Sequence, residues 1–477
     1  MTKYEPQRDG DAEILAELER AQRLAALTPQ QQEAELFPHL LSQVRHAFGA
    51  TKFWNTKLSP IASRISSART LPALLSSLPL LSRSELQRNL ERMRCLPPGA
   101  NRSRMGESVT SGSTGQPVRV LQYSPDVKPT RYALSLLDAI WQQRDFSKPV
   151  AFLRAARGSP VGSGPLEPFR IIGNKLPGVN FPPKGRSFDE MLDFLVDQGV
   201  GTALMNMVQA RGIAREQLVN PRPDLQLREV LGWTETVTAE DRELVRKAIG
   251  AKISNRYSSE EFGLLAIQCP SHDHLHATQM QNYIEILDDA GNPCPVGVTG
   301  NVVVTSLQNR AQPMFRYLLG DAAAWDEPCD AGCNWPVLSP RLTRQRDTIK
   351  LPDGTDWLPA LAKTPLVKQP IVFDFQVVLF QNAVVALYTP TPHWGVETGQ
   401  QVQEGLAAEF PLAIPVLLIQ SPSLLWLGNW KRRTFIKVSE SVPLEIDEDG
   451  VRDLVLASGY KPDAGVGVIP TEADAAL

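Results

Sequence analysis

Residues 109–117 read Val109-Thr110-Ser111-Gly112-Ser113-Thr114-Gly115-Gln116-Pro117, with two glycines, two serines and two threonines in one stretch. Glycine lets backbone N–H groups approach an anion closely, and hydroxyls add short donors to the same oxygens. The chemistry on offer is phosphate binding without a cationic side chain. No Gly-Lys-Ser/Thr closes the stretch, so it is not a Walker loop. A flexible Ser/Gly-rich linker has the same composition. Three later stretches bear on the choice. They are Tyr257-Ser258-Ser259-Glu260-Glu261-Phe262-Gly263, Phe315-Arg316-Tyr317-Leu318-Leu319-Gly320-Asp321, and Arg344-Gln345-Arg346-Asp347 running into Ile349-Lys350-Leu351-Pro352-Asp353-Gly354. Each alone has the composition of an ordinary turn, the second with its acid after a glycine.

A second constellation has metal-binding residue types. Four of the five cysteines (Cys269, Cys294, Cys329, Cys333) and three of the six histidines (His272, His274, His276) fall between residues 269 and 333. Cys329 and Cys333 form a short chelating pair, and Cys269 with His276 forms another. Brought together, Cys269, His276, Cys329 and Cys333 would make a Cys₃His zinc site, whose tetrahedral geometry suits a structural role. Free cysteines in turns beside a solvated histidine loop are the alternative.

These groups need a scaffold, and the chain is long enough to supply one. Its 477 residues, 42% hydrophobic and 21% charged, suit a protein of several domain-sized units. A net charge of −3 with no long single-sign run argues against a nucleic-acid surface. The polar start lacks a secretory signal and no apolar run reaches transmembrane length, so no membrane association is expected. Five cysteines are too few for a disulfide framework, which implies a reducing, cytoplasmic setting. The oligomeric state is left open.

Residues 11–47 read as helical, with Pro29 in a first turn after Thr28. Residues 59–83, rich in Ser, Leu and Pro, read as a connecting segment. Helical spacing over 126–144 predicts a helix packed just behind the glycine-rich stretch. Ser187 and Glu190 form a capping box ahead of Met191, Leu192, Leu195 and Val196, with Gly199 as a stop. Residues 239–249 predict another amphipathic helix, closed by Gly250. Tyr283–Leu287 and Val302–Ser306 read as strands. Beyond about residue 347 the texture changes. Phe373, Phe375, Val377 and Leu379 alternate, Ala383–Tyr388 reads as the returning strand, and a helix (Val402–Phe410), two strands (Val416–Gln420, Thr434–Val438) and a helix near Asp449–Ser458 follow. The expectation is an α/β protein with a large N-terminal α/β domain over residues 1–346 and a small C-terminal α+β domain over 347–477.

In this order and at these separations, the glycine-rich stretch and the three later ones resemble the core motifs of the acyl-adenylate-forming (AMP-binding) superfamily. The branch they resemble is that of phenylacetate–CoA ligase with its capsule-biosynthesis and acyl-protein-synthetase relatives; Leu78-Pro79-Leu80-Leu81-Ser82-Arg83-Ser84-Glu85-Leu86 also looks like that branch's approach to the loop. The resemblance implies that Thr110, Ser111, Gly112, Ser113, Thr114 and Gly115 hold the β- and γ-phosphates of ATP, while Tyr257 borders the adenine. It implies Glu261 as the group that reaches Mg²⁺, Ser259 at the nucleotide, Asp321 on both ribose hydroxyls and Arg344 on the ribose and phosphate side. Asp347 falls at the family's hinge to a mobile C-terminal domain. That domain delivers a lysine to the α-phosphate in the resembled enzymes. Lys431, in Gly428-Asn429-Trp430-Lys431, is the match, with Lys437 as fallback.

The implied activity joins a small-molecule carboxylic acid to AMP with release of pyrophosphate, then passes the acyl group to a thiol, with coenzyme A first among acceptors. An amine or a carrier protein as acceptor, or a nucleotide-binding homologue without turnover, are the alternatives. Four departures stand out. Gln116 replaces the loop's usual lysine, Ser258 a glycine, Glu260 a Ser/Thr at the AMP phosphate and Arg346 the hinge's first acid. An acid at position 260 repels an anion unless it points away. Gly232-Trp233-Thr234-Glu235 stands where relatives have a Gly-Gly-Glu-like turn, and Met205, Asn206 and Met207 are candidates for the wall of the acid pocket.

Overall fold

The computed structural model describes residues 4–109, 118–153, 164–181, 187–233, 237–339, 343–344, 349–350, 356–357, 372–390, 396–410, 414–421 and 435–458. Two N-terminal helices, α1 (Asp11–Ala26) and α2 (Pro29–Ala50), form where one helical stretch is expected. Thr28 separates them by a reciprocal capping box with Gln31, and Pro29 takes the first turn, where its missing N–H costs nothing. Residues 59–83 are not a plain connection. After α3 (Lys52–Leu58) they hold α4 (Ala62–Ser67) and α5 (Leu71–Ser77). Thr70 caps α5, and Leu71, Leu74 and Leu75 share one buried face, a periodicity too short to stand out from the Ser/Pro background. The helix α6 (Arg83–Arg88), capped by Ser82, and the single turn α7 (Leu90–Met93) follow.

A hairpin, β1 (Met105–Val109) and β2 (Arg119–Tyr123), carries the glycine-rich stretch as its connection, with Val109 opposite Arg119. Residues 110–117 themselves lie outside the described residues. The helix α8 (Ser124–Trp141) leaves directly from β2. Next come β3 (Val150–Phe152), β4 (Gly178–Asn180), α9 (Phe188–Asp197), β5 (Thr202–Asn206), α10 (Met207–Val219), β6 (Glu229–Trp233), α11 (Ala239–Ile249), β7 (Lys252–Ser259), β8 (Gly263–Gln268) and β9 (Leu275–Ala277). The capping boxes at Ser187–Glu190 and Thr238–Asp241 start α9 and α11, and Gly250 ends α11 at φ 76°.

With β13 (Val337–Leu338) these strands run β13-β9-β8-β7-β6-β5-β3-β4. From β4 to β7 neighbours are parallel, and from β7 to β13 antiparallel. Helices α9, α10 and α11 cover one face, through Leu192, Leu195, Ala210, Ile213 and Val245. On the other lie α8 and α1, through Leu134, Leu137, Leu18 and Leu24. Sheets with both faces covered in this way place ligands outside the carboxyl ends of the parallel strands.

A second sheet, β10 (Asn282–Leu287), β11 (Gly300–Ser306), β12 (Tyr317–Ala323) and β14 (Thr343–Arg344), is antiparallel throughout. The short pair β15 (Ile349–Lys350) and β16 (Asp356–Trp357) follows. The last sheet stands apart, in the order β19-β18-β17-β20, built from β17 (Val372–Leu379), β18 (Val384–Pro390), β19 (Val416–Gln420) and β20 (Phe435–Lys437). Its two faces are covered by α12 (Val396–Glu409), through Val402 and Leu406, and α13 (Glu448–Ala457), through Val451 and Val455. The whole is a mixed α/β architecture with a large N-terminal part and a small α+β C-terminal unit. Among the described residues no helix is long and apolar enough to cross a membrane.

Candidate functional site

The end of β7 brings the first two motif residues inward. Tyr257 is 8% exposed and its hydroxyl donates to Asp321 Oδ2 at 2.8 Å; Asp321 is 6% exposed. Two stretches 64 residues apart thus meet in one buried pair. Facing alternates along the next residues. Ser258 is exposed, Ser259 half-buried, Glu260 exposed and Glu261 buried. Glu260 therefore points to solvent, which removes the repulsion expected of an acid at that position. The Ser259 hydroxyl accepts from Phe262 N at 3.1 Å and so shapes the turn, while keeping its own proton to donate. Gly263 closes the turn at φ 73°, and a Cβ there would meet the Arg131 guanidinium at 3.0 Å.

Asp321 does not sit in a tight turn. It lies in β12, and the register between β11 and β12 shifts between Asn301 and Val303, so Leu319–Asp321 form a bulge. Gly320, at φ 84°, supplies the backbone conformation the bulge needs and re-aims the acid. Arg316, just before this strand, has φ 45°, a conformation that non-glycine residues rarely adopt. Its guanidinium holds Glu285 through Nε and Nη2 at 3.1 and 3.0 Å and donates to Leu78 O at 3.2 Å, which fixes the strained residue in place.

Sequence reasoning missed Arg83. Leu81 bridges β12 in parallel at Tyr317, with Leu81 N to Arg316 O at 2.9 Å and Leu318 N to Leu81 O at 3.0 Å. Two residues on, the Arg83 guanidinium lies 3.8 Å from Glu261 Oε1, and Glu261 is 6% exposed. The Tyr317 hydroxyl shares this corner: burial pushes its pKa up, the Glu261 carboxylate adds to that, and Arg83 opposes it. A cation is therefore present beside Glu261 although Gln116 supplies none. The only signal in the sequence was the residues' membership of the approach stretch, which says nothing about a partner so far along the chain.

Of the other expected residues, Arg344 lies on β14 with its Cα opposite Asp321, and its side chain is outside the described residues. Thr110, Ser111, Gly112, Ser113, Thr114, Gly115 and Lys431 are outside them too, as are Asp347 and the Trp233 side chain. Lys437 is exposed on β20. Met205 and Met207 are fully buried in the core beneath α10, and the Asn206 side chain caps α10 by accepting from Gln209 N at 2.8 Å. A recess of about 420 Å³ lies between α2 and α4, lined by Phe37, Leu41, Val44, Phe48 and Ile65, and none of the motif residues reaches it.

The cysteine–histidine cluster forms at the end of β8. Ligand atoms of Cys269, His272, His274 and Cys329 all lie within 4.8 Å of one another. The two sulfurs are 3.8 Å apart, and His272 Nδ1 lies 3.4 Å from Cys269 Sγ and 3.6 Å from Cys329 Sγ. Ser271 N and Ala331 N point at these sulfurs, at 3.5 and 3.4 Å, and His272 Nε2 faces Asp330 at 3.2 Å. Backbone N–H groups on sulfur and a carboxylate behind a histidine are the supporting contacts of a metal site. His276 and Cys333, expected as ligands, lie beside this group and not within it. His276 Nδ1 is hydrogen-bonded to Trp335 O at 3.2 Å, its ring packs edge-on against Trp141, and burial lowers its pKa to about 4. Cys333 packs among apolar side chains with Trp335, and burial pushes its thiol up to about 12. His276 is fully buried within β9, with the His274 ring edge-on against it at 5.0 Å between centroids.

Comparison with known proteins defines the class: the chain has the fold of the adenylate-forming acyl-CoA ligases. In sequence it resembles the phenylacetate–CoA ligase branch, being 28% identical over 153 residues to phenylacetate–coenzyme A ligase of Thermus thermophilus. That alignment covers 31% of this chain and 33% of the relative, so the match spans about a third of the relative's length. No protein-family profile matches. Among solved structures, 2-hydroxyisobutyryl-CoA ligase in the postadenylation state with R3-HIB-AMP superposes with a TM-score of 0.70 at 16% identity, over 92% of this chain and 94% of that one. The same ligase with 2-HIB-AMP and CoA in the thioesterification state gives 0.56 over the same shares, at 17% identity. An anthranilate CoA ligase with anthranoyl-AMP gives 0.51 at 15% identity, over 74% of this chain and 67% of that one.

Proposed function

We propose that this chain is an ATP-dependent carboxylate-activating ligase. A carboxylate attacks the α-phosphate of ATP, giving an acyl- or aryl-AMP and pyrophosphate, and the thiol of coenzyme A then displaces AMP to give a thioester. The observation that carries the reading is the buried Tyr257–Asp321 pair with Glu261 and Arg83 beside it. It lies at the carboxyl end of β7, in a fold shared with a CoA ligase over 92% of the chain. Asp321 would accept from the ribose hydroxyls, with Tyr257 bordering the adenine and holding the acid's orientation. Glu261 would take Mg²⁺, whose charge offsets the phosphates during attack. Arg83 would add a fixed cation there, in place of the lysine that Gln116 lacks. Thr110–Gly115 would hold the phosphates, Ser259 and Arg344 the nucleotide's phosphate and ribose side.

The C-terminal unit would move about a hinge at Asp347 and deliver Lys431 to the α-phosphate. The better superposition on the postadenylation state than on the thioesterification state supports reading the present arrangement as the one in which the adenylate is made. The cysteine–histidine cluster is read as a structural zinc site, with Cys269, His272, His274 and Cys329 as ligands in place of His276 and Cys333; four protein ligands leave no open position for catalysis.

The test is pyrophosphate release from ATP with a panel of carboxylic acids, repeated with CoA, with amines and with a carrier protein. CoA-dependent thioester formation with an acid that also drives pyrophosphate release is the expected result. Transfer only to an amine or carrier would replace the acceptor. ATP binding with no pyrophosphate from any acid would establish the non-turnover reading that Gln116 favours.

A further inference from the structure

Helix α10 is held on three sides. Its first turn is capped by Asn206 from β5. A Cβ on Gly212 would lie 2.4 Å from the Phe188 ring, so the glycine is what allows α9 to pack this closely. The Arg211 side chain, 1% exposed, donates from Nη1 to Asp241 Oδ1 at 3.1 Å. Asp241 is fully buried, and its other oxygen accepts from Thr238 N at 3.0 Å in the capping box of α11. Two carboxylate oxygens are thus committed, one to a helix start and one to Arg211. The guanidinium plane is fixed by its own domain before anything else touches it.

What touches it comes from the other unit. Phe375 on β17 is fully buried and its ring centroid lies 5.4 Å from Arg211 Cζ. β17 packs on α10 along this contact. A guanidinium is weakly hydrated and stacks well on aromatic faces, and the contact gains strength where water is excluded. One turn further, Arg215 is also 1% exposed, so α10 presents buried cationic side chains at successive turns. Charged side chains this dry need a covering surface. Here the C-terminal unit is part of that surface.

We infer that Arg211 is a positioning residue that docks the small C-terminal unit through Phe375, and that this contact selects the arrangement in which the adenylate is made. The inference rests on the two-step reading above for its kinetic consequence, and on the α10–β17 contact for its structural one. Asp241 pre-sets the post, and Phe375 is the cap that leaves when the unit turns. Departure of Phe375 exposes one face of Arg211 to water while the ion pair to Asp241 stays. The post therefore stays folded in both arrangements.

The experiment uses the full chain as wild type, Phe375→Leu, Arg211→Lys and the double variant. Leucine keeps an apolar core side chain, and lysine keeps a charge for Asp241; each removes only the stacked plane. Hydrogen–deuterium exchange without ligand is expected to rise over residues 207–219 and 372–379 in both single variants, with no further rise in the double. Residues 448–457, across the small sheet, stay protected. With an acid accepted in the pyrophosphate screen, release of pyrophosphate falls roughly tenfold, about 1.4 kcal/mol, while a supplied acyl-adenylate still passes to CoA. Unchanged exchange at α10 in either single variant overturns the proposal, as do additive effects in the double. So does exchange that rises at 448–457 as well in Phe375→Leu but not in Arg211→Lys, which would make Phe375 only a core residue of its own unit. An equal loss in both half-reactions also overturns it. If the wild type releases no pyrophosphate, the ligase reading fails, and the exchange pattern alone still decides the docking.

Discussion

At the scale of single residues, the site is a set of acids made different by what they face. Asp321 is buried against a phenol, Glu261 is buried beside a guanidinium, and Glu260, its neighbour, is in water. The pairing of Asp321 with Tyr257 gives a direct test. Asp321→Asn keeps the shape and an acceptor for the Tyr257 hydroxyl but removes the charge that, on the proposed reading, would strengthen bonds to ribose. A lost charge-assisted hydrogen bond of about 1.5–3 kcal/mol corresponds to a rise in ATP KM of roughly tenfold to a hundredfold. The melting temperature should stay near that of the wild type. An unchanged KM would take Asp321 out of the nucleotide site. The sequence announced Tyr257, Glu261 and Asp321 through motif order. It could not announce Arg83, because the link from Leu81 to β12 is a backbone bridge across about half the chain.

Elements explain which expectations held their shape. Capping boxes and closing glycines made α9 and α11 readable, since their signals are local. Alternation did the same for β17 and β18. The helix α5 and the bulge at Gly320 were not readable, because what fixes them is burial and pairing against distant partners. At the cysteine–histidine cluster the structure gathers a different set from the one read from spacing. Spacing groups Cys269 with Cys329, and burial separates the histidines: His276 is fully buried within β9 and bonded to Trp335 O, whereas His272 and His274 precede that strand. Purified protein is expected to carry about one equivalent of zinc. Cys269→Ser and His272→Ala should lower both the zinc content and the melting temperature. Cys333→Ala should keep the metal. Zinc lost from Cys333→Ala but kept in His272→Ala would restore the ligand set read from spacing.

For the whole molecule, stability depends on a charge network under the central sheet. Arg144 donates to Glu229 through Nε and Nη2 at 2.8 and 2.9 Å and to Asp138 at 3.0 Å, and Arg256 also holds Asp138. These residues tie α8 to the start of β6 and the middle of β7. Burial alone would raise the Glu229 pKa, but the Arg144 charge outweighs it and holds the carboxyl down at about 2, against an ordinary 4.5. The unfolded chain therefore takes up a proton near 4.5 and the native state only near 2. The stabilisation is complete above the higher value and is lost as pH falls toward the lower. Glu229→Gln should cost about 3 kcal/mol at neutral pH, the low end for breaking a buried pair because Asp138 still holds Arg144. It should also flatten the loss of stability on acidification, read by urea unfolding at several pH values. An acid slope identical to that of the wild type would assign it to other carboxylates.

The alternation at the end of β7 has a consequence for how this chain tolerates change in length. Tyr257, Ser259 and Glu261 face inward, and Ser258 and Glu260 outward. Because the two acids are adjacent, gain of one residue between Tyr257 and Glu260 would rotate Glu260 into the place that Glu261 now holds. The same insertion, made directly after Tyr257, would bring Ser258 to the place of Ser259, so a hydroxyl is kept there as well. The doublet thus acts as a phase-independent carboxylate: whichever way the hairpin is counted, one oxygen pair looks in and the other looks out. A single acid there would make the site hostage to the strand's register.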